Sequence, residues 1–194
     1  MQAAGDVDGD GLADLVVGAP SRGDGGSAYV VYGKADSSPI TLDAIDAGSG
    51  GYAYAEPTAG ERLGEHVAGI GDVNADGFPD LALTAGRYDN TGSTLYVVWG
   101  VRPGSGRLAV HDSGFSVVLG GKAPTGALAA GHDVNGDGIN DVLVSRWSFD
   151  DPTSVSYVVF GCTAPGVISG AALEAGQGGG FAIFGGPVSA ARPT

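Results

Sequence analysis

The strongest constraint on this chain is a nine-residue acidic pattern, Asp-x-Asp/Asn-x-Asp-Gly-x-x-Asp, which occurs at residues 6–14, 72–80 and 133–141. Oxygen atoms on alternate residues of a tight loop can face one centre, and Ca²⁺ takes about six to eight oxygen ligands in a flexible shell. The glycine at the sixth position permits the sharp turn that such a loop needs. We therefore predict three calcium-binding loops, with one Ca²⁺ in each.

The candidate ligands are the side-chain oxygens at positions one, three, five and nine of each loop. The apolar residue at position seven is expected to contribute its backbone carbonyl while its side chain packs inward. The predicted metal ligands are Asp6, Asp8, Asp10, Leu12 and Asp14 in the first loop, Asp72, Asn74, Asp76, Phe78 and Asp80 in the second, and Asp133, Asn135, Asp137, Ile139 and Asp141 in the third.

The segments around the loops indicate strands on both sides. A helix-loop-helix calcium hand needs a glutamate at loop position twelve, where this chain has Val17, Leu83 and Val144. Each loop is followed by a short aliphatic run that ends in glycine, proline or other turn residues, which is typical of a β-strand. Each loop is therefore predicted to join two strands.

The repeated unit continues beyond the loop. A second strand with the pattern Tyr-Val-Val-aromatic-Gly follows each first strand, and a third, partly aromatic strand follows that. The loops begin 66 and 61 residues apart (72 − 6 and 133 − 72). Four strands in a unit of this length are typical of a propeller blade. The later strands are predicted at residues 27–33, 93–100 and 154–161, then at 51–55, 115–120 and 181–185, with short strands before the later loops at 65–69 and 127–131.

Together these features resemble the FG-GAP repeats of integrin α-subunit propellers and their bacterial relatives. The resemblance rests on the three acidic loops, on Val-Gly-Ala-Pro at residues 17–20 and on Val-Ala-Gly-Ile-Gly-Asp at residues 67–72, and it covers essentially the whole chain. Gly-Ala-Pro is kept only in the first unit. The resemblance implies an all-β chain of propeller blades with four antiparallel strands each, three blades per chain. It also implies a non-catalytic, calcium-stabilised module for adhesion or for binding a protein or glycan.

The blades are predicted at about residues 1–56, 57–121 and 122–186. A propeller ring needs about four to eight blades, so three cannot close one. Two alternatives follow. The chain is an excerpt of a longer propeller, or two copies meet head to tail in a six-bladed homodimer. In the first case residues 187–194 begin a further blade, and in the second they form a strand donated to residues 2–5 of the other copy.

Charge and composition exclude several classes of partner. The net charge of −13 disfavours nucleic acid and anionic membrane surfaces. The sequence has no apolar run of about 18 residues, so no membrane insertion is expected. Calcium modules of this kind suit the millimolar calcium outside cells, so we expect a secreted or cell-surface protein, although residues 1–5 contain no signal peptide. Cys162 is the sole cysteine and is expected to be a half-buried packing residue.

Catalytic motifs are not found in the sequence. It contains neither Gly-x-Ser-x-Gly nor Gly-x-x-x-x-Gly-Lys-Ser/Thr, and His66, His111 and His132 lack the spacing of zinc ligands. No enzymatic activity is therefore expected. The alternatives are the scaffold portion of a secreted hydrolase or lyase, and a unit that only self-assembles.

Two further features are expected to be structural. The tripeptide Arg-Gly-Asp at residues 22–24, which some integrins recognise in their ligands, is short enough to occur by chance in a turn. Trp99, Trp147 and Phe149 could stack on a sugar, but packing within the fold is the favoured interpretation.

Overall fold

The computed structural model describes residues 1–55, 59–86, 92–100, 106–110, 114–119, 125–146, 154–164 and 166–185. Strands dominate these residues, and the two helices have five residues each. The elements are β1 (Gln2–Gly5), β2 (Asp14–Ala19), β3 (Ser27–Val31), α1 (Leu42–Asp46), β4 (Gly51–Ala55), β5 (Val67–Gly71), β6 (Asp80–Gly86), β7 (Ser93–Val98), β8 (Gly106–Ala109), β9 (Phe115–Leu119), β10 (Thr125–His132), β11 (Asp141–Arg146), β12 (Val155–Val159), β13 (Gly166–Ser169), α2 (Gly170–Glu174) and β14 (Gly180–Phe184).

The strands form three sheets, each built on four antiparallel strands. The first blade contains β1-β2-β3-β4, the second β5-β6-β7-β9 and the third β10-β11-β12-β14. This arrangement confirms the all-β blade architecture predicted from the repeat. The predicted blade limits near residues 56 and 121, and the predicted donated strand at 187–194, lie outside the described residues. Closure of a ring by self-association stays a prediction.

Two sheets also carry a fifth strand that the sequence analysis did not predict. β8 pairs in parallel with β4 at the edge of the first blade, and β13 pairs in parallel with β9 at the edge of the second. Each added strand comes from the segment between the third and fourth strands of the following blade. Neither β8 (Gly-Arg-Leu-Ala) nor β13 (Gly-Val-Ile-Ser) has the alternation of apolar and polar residues that is typical of a strand. Both become strands by pairing with another blade.

Apolar side chains on facing sheets form the core between the blades. Between the first and second blades, the cluster includes Val16, Val30, Tyr52, Leu83 and Val98. A second cluster lies between the second and third blades. The middle blade therefore buries both faces, and every residue of β6 is buried. The stacking fixes the strand ends, and with them the loops that join the first two strands of each blade.

The two helices were not predicted, and they cover blade faces. Thr41 caps α1, because its Oγ1 accepts a hydrogen bond from the Ala44 backbone N–H at 3.2 Å. Ile45 of α1 is buried against Tyr29 and Ala53 of the first blade. Among the described residues, no helix has the length and apolar character needed to cross a membrane.

Candidate metal loops

The acidic loops connect β1 to β2, β5 to β6 and β10 to β11, as the repeat predicts. Their fourth and sixth positions have positive φ in all three copies. Glycine adopts this conformation without steric cost, whereas Ala75 does so at a cost of about 1–2 kcal/mol. The second loop thus has the same conformation as the other two, although the Cβ of Ala75 disfavours positive φ. The φ angles are 79° and 89° at Gly9 and Gly11, 62° and 89° at Ala75 and Gly77, and 81° and 89° at Gly136 and Gly138.

The first aspartate of each loop holds the turn through backbone N–H groups. Asp6 Oδ1 accepts hydrogen bonds from the N–H groups of Gly9 at 2.7 Å and Asp10 at 3.1 Å, and its Oδ2 accepts from Gly11 at 2.9 Å. Asp133 makes the same three contacts in the third loop. Several N–H dipoles thus point at one carboxylate, and all of these bonds lie within the loop.

The third and fifth positions make shorter-range contacts. Asp8 Oδ1 accepts from the Asp10 N–H at 3.0 Å, and Asp10 Oδ1 accepts from the Leu12 N–H at 2.7 Å. In the second loop the Asn74 side chain donates from Nδ2 to Asp76 Oδ2 at 2.9 Å. Asn135 donates to Asp137 in the same way in the third loop.

The last aspartate of each loop is fully buried and ties the loop to the rest of its blade. One oxygen accepts from the N–H of the second loop residue, and the other accepts from the N–H of the glycine that ends the aromatic strand. Such charge-assisted bonds are among the stronger hydrogen bonds in proteins. The contacts are Asp14 with Val7 (2.7 Å) and Gly33 (2.7 Å), Asp80 with Val73 (2.7 Å) and Gly100 (2.6 Å), and Asp141 with Val134 (2.7 Å) and Gly161 (3.0 Å).

Burial makes the charge on two of these aspartates, Asp14 and Asp80, costly. It raises the pKa of Asp80 to about 6, against the opposing effect of the N–H groups of Gly100 and Val73. Burial also raises the pKa of Asp14, and the nearby carboxylates of Asp8 and Asp10 act in the same direction. A cation in the loop would favour the ionised carboxylates and offset this cost.

The glycine after the aromatic strand residue is required by close packing against the loop. A Cβ at residue 33 would lie 2.7 Å from the Ala13 carbonyl oxygen and 2.8 Å from Leu12 Cβ. Gly100 and Gly161 approach the carbonyls of Pro79 and Asn140 more closely still. The Tyr-Val-Val-aromatic-Gly repeat signalled these glycines, but sequence reasoning did not connect them to the acidic loops.

The structure brings together three of the five residues predicted as ligands in the first loop. Carboxylate oxygens of Asp6, Asp8 and Asp14 all lie within 4.8 Å of one another. Asp10 is not part of this group. Several hard oxygen donors this close together fit a hard divalent cation such as Ca²⁺. The complete ligand sets of the three loops stay a prediction.

The remaining candidate residues have structural surroundings or fall outside the described parts of the chain. Arg22 forms ion pairs with Asp43 and, at 2.8 Å, with Asp46 of α1, and its guanidinium lies 5.6 Å from the centre of the Tyr29 ring. The arginine of Arg-Gly-Asp is therefore engaged within its own blade. His111, Trp147 and Phe149 lie outside the described residues.

The other sequence candidates are partly buried or exposed, and Cys162 packs against the core between the second and third blades. Cys162 is half-buried, and burial raises the pKa of its thiol, which lowers its reactivity. Trp99 is partly buried, and it directly follows the last residue of β7 in the sequence. His66 precedes β5 and donates its backbone N–H to Thr84 Oγ1 at 3.0 Å, while His132 ends β10.

A tyrosine–carboxylate–arginine contact that sequence reasoning missed occurs in two blades. In the third blade Tyr157 donates its hydroxyl to Glu174 Oε1 at 2.6 Å, and Arg146 lies 3.5 Å from the same oxygen. Tyr29, Asp46 and Arg22 form the corresponding group in the first blade. Each group fastens a short helix to the face of its own blade.

Comparison with known proteins agrees with this geometry. The FG-GAP repeat family matches residues 3–31 and 64–111. Integrin alpha-4 of Xenopus laevis is 30% identical over 155 residues (76% of this chain, 14% of the relative). Integrin alpha-6 of Gallus gallus is 30% identical over 163 residues (77% and 13%). Phosphatidylinositol-glycan-specific phospholipase D of Rattus norvegicus is 33% identical over 156 residues (75% and 18%).

The chain spans less than a fifth of the length of each of these relatives. Three sheets of four antiparallel strands, acidic loops between the first two strands of each sheet, and the matches to FG-GAP repeats and integrin α-subunits all point to one group of proteins. The chain is a relative of the FG-GAP, integrin α-like β-propeller proteins.

Proposed function

We propose that this chain is a calcium-stabilised, extracellular β-propeller module that binds a protein or glycan partner and has no catalytic activity of its own. The observation that carries the proposal is the group of oxygens from Asp6, Asp8 and Asp14 within 4.8 Å, in a loop whose conformation recurs in all three blades. The similarity to integrin α-subunits supports an adhesion or ligand-binding role for the blades that surround these loops.

In the first loop, Asp6, Asp8 and Asp14 would hold Ca²⁺, with Asp10 and the Leu12 carbonyl completing the predicted set. The corresponding residues would hold it in the other loops. Three bound Ca²⁺ would add six positive charges and change the net charge from −13 to −7. Binding to the native state at about 100 times the dissociation constant stabilises it by about 2.7 kcal/mol per site. Calcium would thus stiffen the turns that set the positions of the blades.

A candidate ligand site lies at the strand ends opposite the acidic loops. A cavity of about 380 Å³ opens there, and its lining includes Gln2 of the first blade, Glu65 and His66 of the second and Leu128 of the third. Its volume lies in the range of small-molecule and sugar pockets. Because all three blades contribute, their relative position, which calcium would stabilise, would control the shape of this site.

A calcium titration coupled to partner screening tests the proposal. We expect glycan-array or protein-array binding in millimolar calcium and its loss in chelator. The Asp76→Ala variant should lose one calcium. The matched control, Asp24→Asn, changes an exposed aspartate outside the loops and should bind calcium like the parent protein. Retention of binding in excess chelator would contradict a calcium-dependent module.

An enzyme-associated role is the second candidate, because phosphatidylinositol-glycan-specific phospholipase D is among the relatives. In that case the blades would be the scaffold portion of a secreted hydrolase or lyase rather than its catalytic part. Hydrolysis of phospholipid or glycoside substrates by the isolated chain would contradict the non-catalytic assignment.

Self-association is part of the proposal. Two copies that meet head to tail would close a six-bladed ring, and the open face of the third blade supports this. Leu143, Phe181 and Ile183 are exposed on that face, whereas the corresponding residues of the second blade, Ala82, Phe115 and Val117, are covered by the third. Exposed apolar sheet faces and edges of this kind favour association.

A further inference from the structure

Within the chain, each following blade completes the outer edge of the blade before it. β8, from the second blade, pairs with β4 so that Gly106 lies opposite Tyr52. β13, from the third blade, pairs with β9 so that Gly166 lies opposite Phe115 and Ile168 lies opposite Val117. Both strands leave the blade between its third and fourth strands. The same interface therefore occurs twice in the described structure.

The first blade contains the same segment, and no blade in the described structure receives it. Gly33 and Gly161 are equivalent strand-end glycines, and the residues five to eight positions later are 38–41 (Ser-Pro-Ile-Thr) and 166–169 (Gly-Val-Ile-Ser). A five-residue helix follows both segments. Residues 38–41, here called the donor segment, have no strand partner in the described structure, and Ile40 is 36% exposed.

Among the described residues, no strand occupies the place on the third blade that the donor segment would fill. β14 is the last strand of its sheet. Phe181 and Ile183 on this strand are 37% and 52% exposed, whereas the equivalent Phe115 and Val117 of β9 are 4% and 0% exposed. The exposure differs because the third blade and β13 cover Phe115 and Val117. The first blade of the described structure thus has a donor segment without a strand partner, and the third blade has an acceptor edge on which no described strand pairs.

We propose that the donor segment of one copy pairs in parallel with β14 of a second copy, with Ser38 opposite Phe181 and Ile40 opposite Ile183. This register is the one that β13 adopts on β9, transferred through the internal repeat. The proposal rests on the head-to-tail association proposed above and names the strand that forms it. Pro39 would occupy an edge strand, where proline is accommodated at positions whose N–H would face solvent.

Sedimentation velocity on the full chain in saturating calcium tests the proposal first. We expect a dimer at micromolar concentration. Ile40→Asp and Ile183→Asp should each raise the dissociation constant of the dimer by about tenfold or more, because each variant buries a charge in an apolar contact. Val167→Asp is the matched control: Val167 is 74% exposed on β13, which is already paired within its own chain. It should leave the dimer unchanged.

Cross-linking locates the contact independently of any loss of stability. In a Cys162→Ser background, Ile40→Cys and Ile183→Cys variants are mixed and treated with a short bismaleimide. We expect a cross-linked pair of chains from this mixture and none from Val167→Cys mixed with Ile183→Cys. Calcium uptake measured on the same samples should match that of the parent protein, because none of these residues belongs to an acidic loop.

A parent protein that is monomeric at these concentrations would overturn the proposal, and the edges would then belong to neighbouring blades of a longer propeller. A dimer that survives Ile40→Asp, or that gives no cross-link between positions 40 and 183, would overturn the donor segment while leaving head-to-tail association standing. Absence of calcium uptake by the parent protein would instead contradict the proposed function. Failure of the donor-segment proposal and failure of the proposed function are therefore distinguishable.

Discussion

The substitution Gly33→Ala perturbs the contact that joins the first blade to its acidic loop. The new Cβ would lie 2.7 Å from the Ala13 carbonyl oxygen and 2.8 Å from Leu12 Cβ. Ordinary van der Waals contacts begin at about 3.4 Å, so overlaps of about 0.7 Å with the oxygen and about 0.6 Å with Leu12 Cβ must be relieved. The contact with Ala13 involves the backbone, so the end of β3 and the loop must move apart.

This movement also strains the hydrogen bond from the Gly33 N–H to Asp14 Oδ1, which is 2.7 Å long. Overpacking of this kind costs about 1–3 kcal/mol, and a hydrogen bond to a charged group contributes about 1.5–3 kcal/mol. Partial loss of the bond gives a total of about 2–4 kcal/mol. Restriction of the unfolded chain by alanine offsets about 0.4–1 kcal/mol of this. A net destabilisation of about 1–3.5 kcal/mol follows.

Urea denaturation in excess chelator measures this change without a contribution from metal binding. The matched control is Gly166→Ala, because a Cβ at residue 166 meets no atom within 4 Å and the residue does not have positive φ. We expect the control to unfold within about 0.5 kcal/mol of the parent protein. If Gly33→Ala also falls within that margin, the close packing of strand end and loop does not stabilise the blade, and the reasoning is refuted.

Three further predictions concern the loops and the helix contacts. Ala75→Gly should stabilise the protein by about 0.5–1 kcal/mol by relieving positive φ, whereas Gly136→Ala should destabilise it by about 1 kcal/mol, both measured by urea denaturation. Asp76→Ala should remove one Ca²⁺ per chain and leave the other two sites occupied, and calorimetric stoichiometry checks this. Tyr157→Phe should cost about 1–2 kcal/mol in thermal unfolding, because it removes the 2.6 Å bond to Glu174; an unchanged melting temperature would mean that this bond contributes nothing.

Much of the blade architecture could be predicted from local sequence. The order of acidic loop, aliphatic run and Tyr-Val-Val-aromatic-Gly predicts the two strands that follow each loop, and in the first blade the structure has β2 and β3 at those places. β8 and β13 could not be predicted, since they become strands only through pairing with a neighbouring blade. The helices have one turn and a half at most, too short for a hydrophobic period to appear.

The candidate site divides in the same way. The spacing of the acidic residues predicted that their oxygens converge, and Asp6, Asp8 and Asp14 lie together. The second role of Asp14, which fastens the loop to Gly33, depends on a partner 19 residues away in sequence. No local pattern specifies such a contact, because it arises when the third strand of the blade folds back beside the loop.

Isothermal titration of the chelator-stripped full chain with Ca²⁺, followed by thermal unfolding of the same samples, tests most directly whether the acidic loops bind calcium. We expect uptake of three Ca²⁺ per chain and a rise in melting temperature of at least about 5 °C in saturating calcium. No uptake at millimolar calcium, together with a melting temperature that is the same in calcium and in chelator, would contradict this expectation.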